Sequence, residues 1–162
     1  MSEPDAPSPA PFYEGATYTP ENSVGHLLRR VMQGMIDEIG ERLDPIGLTY
    51  AQWTPLMLLY TGRASTVAEL AREHLTDPGA TTRLLDRLEA KGLCRRVRSE
   101  VDRRVVNVEL TPEGREVASH IPEVLSEVMN ARLSGFSREE WTELKALLGR
   151  MLLNGEAMRS SP

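Results

Sequence analysis

The segment TDPGATTRLLDRLEAKGLCRRVRSEVDRRVVNVELT, residues 76–111, changes from a helical to an alternating pattern of apolar side chains at Gly92. Asp77 is a good helix cap and the proline after it suits the first helical position, so a helix is predicted to begin here. Leucines then recur at three- and four-residue spacing and place one apolar stripe toward a core. Beyond the glycine, residues 106–110 alternate between apolar and polar side chains, which predicts a β-hairpin with residues 94–98. So small a hairpin cannot bury its own faces and must pack against helices.

The face of this helix opposite the leucines carries small residues near its start and two arginines, Arg83 and Arg87. Residues 83–104 hold eight of the chain's 19 Lys and Arg residues and four of its 24 Asp and Glu residues. The segment therefore has a local charge of +4 in a chain whose net charge is −5. A solvated face explains such a cluster equally well on one helix alone. A basic helix beside a basic hairpin tip favours a polyanion surface, because each phosphate that is neutralised releases counterions.

A second short helix is predicted directly before this one. Residues 66–69, TVAE, read as a capping box, and only two residues separate the helix they begin from the helix capped by Asp77. Two helices joined so tightly are what a helix-turn-helix requires, with the first bracing the second against a duplex. The same pattern marks two further helix starts, TYAQ at residues 49–52 and SREE at residues 137–140.

Long apolar stripes toward both ends of the chain predict helices that face more than one neighbour. The first runs from Val24 until Asp44 and Pro45 break it, and two more begin near Pro112 and after Ser137. The apolar residues of the last helix have nearly the spacing of a coiled coil. We expect these helices to pack against a second copy of the chain, which predicts a homodimer.

Length and composition describe an ordinary single domain, with 162 residues of which 40% are hydrophobic and 27% charged. No apolar run is long enough to span a bilayer, and the first residues lack the basic and apolar regions of a secretory signal. The single cysteine, Cys94, excludes an intrachain disulfide and favours a cytoplasmic protein. A phosphate-binding loop, a nucleophile elbow and a metal-ligand cluster are all missing from the sequence. We therefore expect no enzyme activity, no cofactor and no metal.

The run LLDRLEAKGLCRRVRSEVDRRVVNVELTPEG, residues 84–114, resembles the winged helix-turn-helix of the MarR family of bacterial transcriptional regulators. The matching features are a recognition helix ending in Leu-Glu-x-x-Gly-Leu, basic residues on the first wing strand, an Asp-Arg-Arg wing tip and a Leu-Thr-x-x-Gly exit. The resemblance extends over about residues 22–154. It implies a mainly α fold with a small antiparallel β wing (α+β), a winged helix-turn-helix with N- and C-terminal dimerisation helices. The expected parts are a disordered or extended arm (1–18), dimerisation helices (19–48 and 111–155), the winged helix-turn-helix (49–110) and a C-terminal tail (156–162).

DNA recognition is expected at the N-terminal turn of the predicted recognition helix. There Ala80 or Thr81 is placed to meet a thymine methyl, and Thr82 and Arg83 to reach base edges, with Arg83 as the reader of guanine. Arg87 is expected on a phosphate. Thr81 also belongs to the apolar stripe, so a core role remains open for it.

The wing is expected in the minor groove, because family members insert an arginine there and a narrow groove concentrates negative potential. Arg103 and Arg104 both match that tip; the alternative is that Asp102 and Arg104 pair to shape the loop. The candidate DNA-contacting residues are Pro78, Ala80, Thr81, Thr82, Arg83, Arg87, Asp102, Arg103 and Arg104.

The resemblance also implies a small aromatic or phenolic acid as effector, bound between the dimerisation helices and the winged domain. His26 and Arg30 lie one turn apart beside an apolar stripe and suit a carboxylate. Trp53 and Met57 fit a plain core role better than a pocket, so His26 and Arg30 are the stronger candidates. The candidate effector-binding residues are His26, Arg30, Trp53, Met57, Tyr60 and His120.

The predicted function is a homodimeric repressor on an inverted-repeat operator of double-stranded DNA, released by an aromatic carboxylate or phenol. Two alternatives stay open. One is a winged helix that binds another protein, against which the arginine set argues. The other is a regulator switched by redox chemistry at Cys94, although a buried cysteine acting as a small hydrophobe is the better explanation of that residue.

Overall fold

The computed structural model describes residues 12–73, 77–99, 102 and 105–160. These residues form six α-helices, two short 3₁₀ turns at Pro20–Asn22 and Asp44–Ile46, and one antiparallel pair of strands. The predicted mainly helical fold with a small antiparallel wing is confirmed. In chain order the elements are α1 (Val24–Leu43), α2 (Tyr50–Tyr60), α3 (Val67–Glu73), α4 (Pro78–Ala90), β1 (Cys94–Arg98), β2 (Val106–Leu110), α5 (Pro112–Arg132) and α6 (Arg138–Ser160).

The chain divides into two compact units. One unit spans Met32–Met129, and the other joins the described residues of Met1–Val31 to those of Asn130–Pro162. The first unit is larger than the predicted winged helix-turn-helix, because the C-terminal half of α1 and most of α5 contribute to its core. None of the helices among the described residues is long and apolar enough to cross a membrane.

A single apolar core fills the Met32–Met129 unit. Every helix from α1 to α5 and both strands contribute buried side chains to it, which explains why the hairpin does not need to bury its own faces. Its fully buried large aliphatic members are Leu43, Leu48, Leu56, Leu70, Leu85, Leu88, Ile121 and Val128.

The residues just before α3 pair with the free edge of the hairpin. β1 pairs with β2 in a register that places Cys94 opposite Leu110. On the other side of β2, the amide of Val108 donates to the carbonyl of Ser65 at 2.8 Å, and a bridge joins Thr66 to Asn107. The start of α3 is thereby attached to the hairpin, so the helix-turn-helix and the wing are held by the same strand.

The predicted helix starts form as the capping patterns indicate. The Asp77 carboxylate accepts from the amide of Ala80 at 2.9 Å and so caps α4. Glu69 accepts from both Ser65 and Thr66 at the start of α3, and these hydrogen bonds, first those from Ser65, lower the pKa of Glu69. Gly92 ends α4 with a φ of +70°, a conformation that glycine adopts at low cost.

Both ends of the chain differ in detail from the prediction. α6 continues to Ser160 and does not end at Gly155, since the residues that follow, Glu-Ala-Met-Arg, are good helix formers and the cost of an interior glycine, about 1 kcal/mol, does not by itself end a long helix. Much of the predicted C-terminal tail is therefore helical. At the other end, the Tyr13 hydroxyl accepts from the amide of Val24 at 3.0 Å and so supplies a partner to the first turn of α1. The rest of the predicted arm, residues 1–11, lies outside the described residues.

Candidate nucleic-acid interface

Helix α4 has one buried face and one exposed face. Three leucines of the predicted stripe, Leu84, Leu85 and Leu88, are buried in the core. On the opposite face Pro78, Thr82, Arg83, Asp86 and Arg87 are exposed. The helix is thus fixed from behind by apolar packing while its polar face stays open to a partner.

Thr81 is a correction to the predicted contact set. Its side chain is 1% exposed, and its hydroxyl donates to the carbonyl of Asp77 at 3.3 Å. A residue so buried cannot reach a base edge, so the core role is the one that the structure supports. The neighbouring Ala80 is half-buried. Thr82 is exposed, and its hydroxyl donates to the carbonyl of Pro78 at 2.8 Å.

The six cations of the cluster that the structure describes, between residues 83 and 98, fall into two sets. Three members have partners within the protomer. Lys91 donates to the Gly47 carbonyl at 2.7 Å and to the Gln52 side chain at 2.9 Å. Arg95 pairs with Glu109 across the hairpin at 2.8 Å, and Arg96 pairs with carboxylates of α4. The local positive charge that the sequence suggests is therefore partly neutralised inside the fold.

The second set consists of Arg83, Arg87 and Arg98. All three are exposed, and none makes an ion pair with the other residues that the structure describes. Arg98 was missed by the sequence interpretation. Strand alternation places it on the same face of β1 as Arg96, one step nearer the wing tip, and that register was the signal that could have identified it.

Only part of the predicted wing tip can be placed. Asp102 is exposed; its amide donates to the Ser99 hydroxyl at 3.2 Å and its carbonyl accepts from the amide of Val105 at 2.9 Å. Arg103 and Arg104 lie outside the described residues, so their insertion into a minor groove and the Asp102–Arg104 pairing stay predictions.

The predicted effector residues are distributed over both units. Trp53, Met57 and Tyr60 are half-buried on α2 and pack against the core, while His120 is exposed on α5. One polar atom among them stands out: the indole nitrogen of Trp53 is buried and has no hydrogen-bond partner in the described part of the chain. Buried donors of this kind are rare and call for a partner. In the other unit His26 is half-buried and Arg30 exposed on α1.

A shallow groove of about 1000 Å³ lies between α3, α4 and the hairpin. Its lining is mostly apolar, and Thr82 and Arg96 border it. None of the predicted effector residues lines this groove.

Cys94 is packed at the start of β1 with 3% of its surface exposed. Burial, and then the nearby Glu89 carboxylate, raise the pKa of its thiol to about 11, against the opposing effect of Arg96. The thiolate is the reactive form of cysteine, so the native thiol is poorly suited to react with an oxidant at neutral pH.

We expect this raised pKa to make the protein less stable in alkali. The unfolded thiol ionises near pH 9.0 while the native thiol keeps its proton to about pH 11, so stability is lost as the pH rises between those values. The loss amounts to roughly 2–3 kcal/mol at the upper end. Urea unfolding of the wild type and of Cys94→Ala at pH 8.5 and 10.5 isolates this contribution, because other titrating groups are common to both. An equal loss in the two proteins would contradict it.

Comparison with known proteins places these features in a family. Residues 48–106 match the model of the MarR family. The chain is 31% identical over 132 residues to the organic hydroperoxide resistance transcriptional regulator of Bacillus subtilis (strain 168), a match that covers 82% of this chain and 88% of that protein.

Two solved structures are similar as well. A mutant of MarR from E. coli complexed with operator DNA has a TM-score of 0.74 and 29% identity, covering 80% of this chain and 93% of that one. The transcriptional repressor CouR bound to a 23-mer DNA duplex has a TM-score of 0.72 and 26% identity, covering 82% and 94%.

Proposed function

Because the chain belongs to the MarR family of transcriptional regulators, we propose that it is a homodimeric repressor that reads an inverted-repeat operator with the exposed face of α4. One observation carries the proposal. Arg83 and Arg87 project from a helix that is fixed from behind, and neither makes an ion pair with another described residue. The neighbouring Arg95 and Arg96, by contrast, both pair with carboxylates. An arginine on an exposed helix face that has no carboxylate partner in the protein is free to bind a phosphate or a guanine.

The two arginines have different proposed roles. Arg83 lies one turn into α4, next to the small first-turn residues, so it can follow that turn into the major groove and bind a guanine through O6 and N7. Arg87 lies one turn further from the tip and is assigned to a phosphate. Thr82 supplies a methyl group for thymine, and Arg103 or Arg104 is assigned to the minor groove beside the wing.

Dimerisation is proposed through the unit that contains α6. Large apolar side chains on this helix are exposed in the single chain, with Leu152 at 62% and Leu153 at 65%. Several large apolar side chains exposed on one helix are typical of an interface. A two-fold dimer would present two copies of α4 to half-sites about 10 base pairs apart, centre to centre, which is why an inverted repeat is expected.

A mobility-shift series tests the DNA-binding role. The probe is the DNA upstream of the chain's own gene, with a scrambled duplex of equal length as control, at salt concentrations rising from about 50 to 200 mM. We expect a complex that the scrambled duplex does not compete away and that weakens steeply with salt. The absence of a complex at low salt would favour the protein-binding module instead. In vitro transcription from the same promoter separates a repressor, which lowers the transcript, from an activator.

The effector is proposed to be a small aromatic carboxylate or phenol bound beside α2. The support is the buried indole N–H of Trp53, which needs an acceptor, and the side chains of Met57 and Tyr60 on the same face of the helix. A ligand oxygen would satisfy that donor, and the ligand's ring would pack against these side chains. The assignment of His26, Arg30 and His120 to this effector stays a prediction from the sequence. Redox control is not favoured, because Cys94 is buried and its pKa is raised.

Replacing Trp53 by phenylalanine is expected to weaken effector binding about tenfold, because it removes one hydrogen bond to the ligand and keeps the aromatic packing. The measurement is the shift in melting temperature with millimolar benzoate and 4-hydroxybenzoate. Trp141→Phe, the same substitution at a tryptophan of α6, is the matched control. If neither acid stabilises the wild type or releases it from DNA, the effector does not belong to this class. If wild type and Trp53→Phe show equal shifts in melting temperature, Trp53 is not part of the effector site.

A further inference from the structure

Arg96 joins the first wing strand to helix α4 through four hydrogen bonds. Its guanidinium donates to Asp86 at 2.7 Å, to Glu89 at 2.6 Å and to the carbonyl of Thr82 at 3.0 Å. Its own backbone amide donates to the second oxygen of Glu89 at 2.7 Å. The contacts span two turns of α4, so they fix both the distance and the angle between the helix and β1.

These bonds require an arginine. One planar group must supply donors to two carboxylates and a carbonyl at once, which the guanidinium fork can do and a lysine ammonium cannot do with the same geometry. The Arg96 side chain is 26% exposed, so solvent screens these charge-assisted bonds less than it screens an ordinary surface pair.

The carboxylates involved lie close to the proposed DNA-reading face. Asp86 is exposed between Arg83 and Arg87, and unpaired it would repel the phosphates that those arginines approach. Arg96 neutralises Asp86 from the wing side. It also contacts the backbone of Thr82, a residue assigned above to a base contact. The position of the base-reading turn is therefore set partly from the hairpin.

We propose that Arg96 is a positioning residue for operator recognition, which holds α4 and the wing in the one relative arrangement that lets both enter adjacent grooves of the same half-site. The inference rests on the DNA-binding role proposed above. Arg96 makes no contact with DNA in this scheme; it acts through Asp86, Glu89 and Thr82. Loss of Arg96 should therefore weaken binding to the operator more than it weakens binding to arbitrary DNA. Only the operator requires α4 and the wing to make their contacts at the same time.

Arg96→Lys tests this with the charge conserved. We expect affinity for the operator to fall about tenfold while affinity for scrambled DNA stays within about twofold, so the specificity ratio falls by nearly the same factor. Arg95→Lys is the matched control, because Arg95 pairs with Glu109 away from α4 and should leave the ratio unchanged. A ratio equal to wild type in Arg96→Lys would overturn the proposal.

Glu89→Gln probes the same bonds from the helix side. Removing a negative charge near the DNA should tighten binding to any duplex if charge alone matters. We expect instead that the specificity ratio falls. A specificity ratio that is unchanged or higher in Glu89→Gln would overturn the proposal. This test remains usable if Arg96→Lys is too unstable to assay, which the melting temperature of each variant shows.

A double-mutant cycle with Arg104 separates positioning from simple stability. If Arg96 places the wing, the loss of operator affinity in Arg104→Ala is smaller in the Arg96→Lys background than in wild type. Additive losses would overturn the proposal, since they mean that helix and wing bind independently. Failure of the DNA-binding role itself looks different, because the wild type would then form no specific complex.

Discussion

Gly114→Ala is expected to lower the free energy of unfolding by about 3 kcal/mol or more, the largest stability effect that the structure predicts for a single methyl group. A Cβ at this position would lie 1.7 Å from the carbonyl oxygen of Leu93 and 2.7 Å from its carbonyl carbon. Both are backbone atoms, so no side-chain rotation can relieve the clash. The helix or the strand must move.

The surrounding hydrogen bonds make that movement costly. Thr111 donates its amide to Leu93 and its hydroxyl to the carbonyl of Gly92 at 2.6 Å, and the Gly114 amide donates back to that hydroxyl at 2.9 Å. The first turn of α5 therefore rests on the turn that links α4 to β1. This packing is the physical reason for the Leu-Thr-x-x-Gly exit that the sequence displays.

Thermal unfolding provides the measurement, with an expected drop in melting temperature of about 6–12 °C for a chain of this size. Gly40→Ala is the control, because Gly40 lies inside α1 and a Cβ there meets no atom within 4 Å. That variant should be as stable as the wild type or slightly more so, since alanine is the better helix former. Equal melting temperatures for Gly114→Ala and wild type would show that α5 does not rest on Leu93 as described.

Arg83→Ala is expected to cost roughly 1–3 kcal/mol of operator binding in each half-site, or about 5- to 150-fold, and to relax the preference for guanine at one position. The reason is the removal of a bidentate pair of hydrogen bonds to a base edge. Arg87→Ala should weaken binding to all sequences alike and lower the slope of log affinity against log salt by about one for each phosphate that the protein no longer neutralises.

Fluorescence anisotropy with the operator and with single-base variants distinguishes these two outcomes. The two variants remove the same charge from the same exposed face, so each serves as the control for the other. If both weaken operator and variant duplexes to the same extent, Arg83 does not read a base. If neither weakens binding, the exposed face of α4 is not the DNA-binding surface.

The helices and the hairpin could be predicted because their causes are local. The Asp77 cap, the leucine stripe of α4 and the turn at Gly92 each depend on residues within about four positions of one another, and the structure confirms all three. The end of α6 was misjudged at Gly155 because that glycine was weighed above the helix formers after it.

The distribution of charge could not be predicted, because it depends on contacts between elements. The sequence shows eight cations in one segment, but which of them are free depends on how β1 packs on α4 and how the loop before α2 meets Lys91. Thr81 is a similar case, since a threonine suits a base edge and a helix core equally well until its burial is known. The unpartnered nitrogen of Trp53 is likewise a property of packing alone.

Protection of guanine N7 from dimethyl sulfate shows whether α4 reads the operator through Arg83, because the reagent methylates N7 in the major groove itself. With the wild type bound to its operator, we predict one guanine protected in each half-site, the two about 10 base pairs apart, and the loss of both protections in Arg83→Ala at saturating protein. If the same guanines are protected in Arg83→Ala as in wild type, or if the wild-type complex protects no guanine, Arg83 does not read the operator from α4.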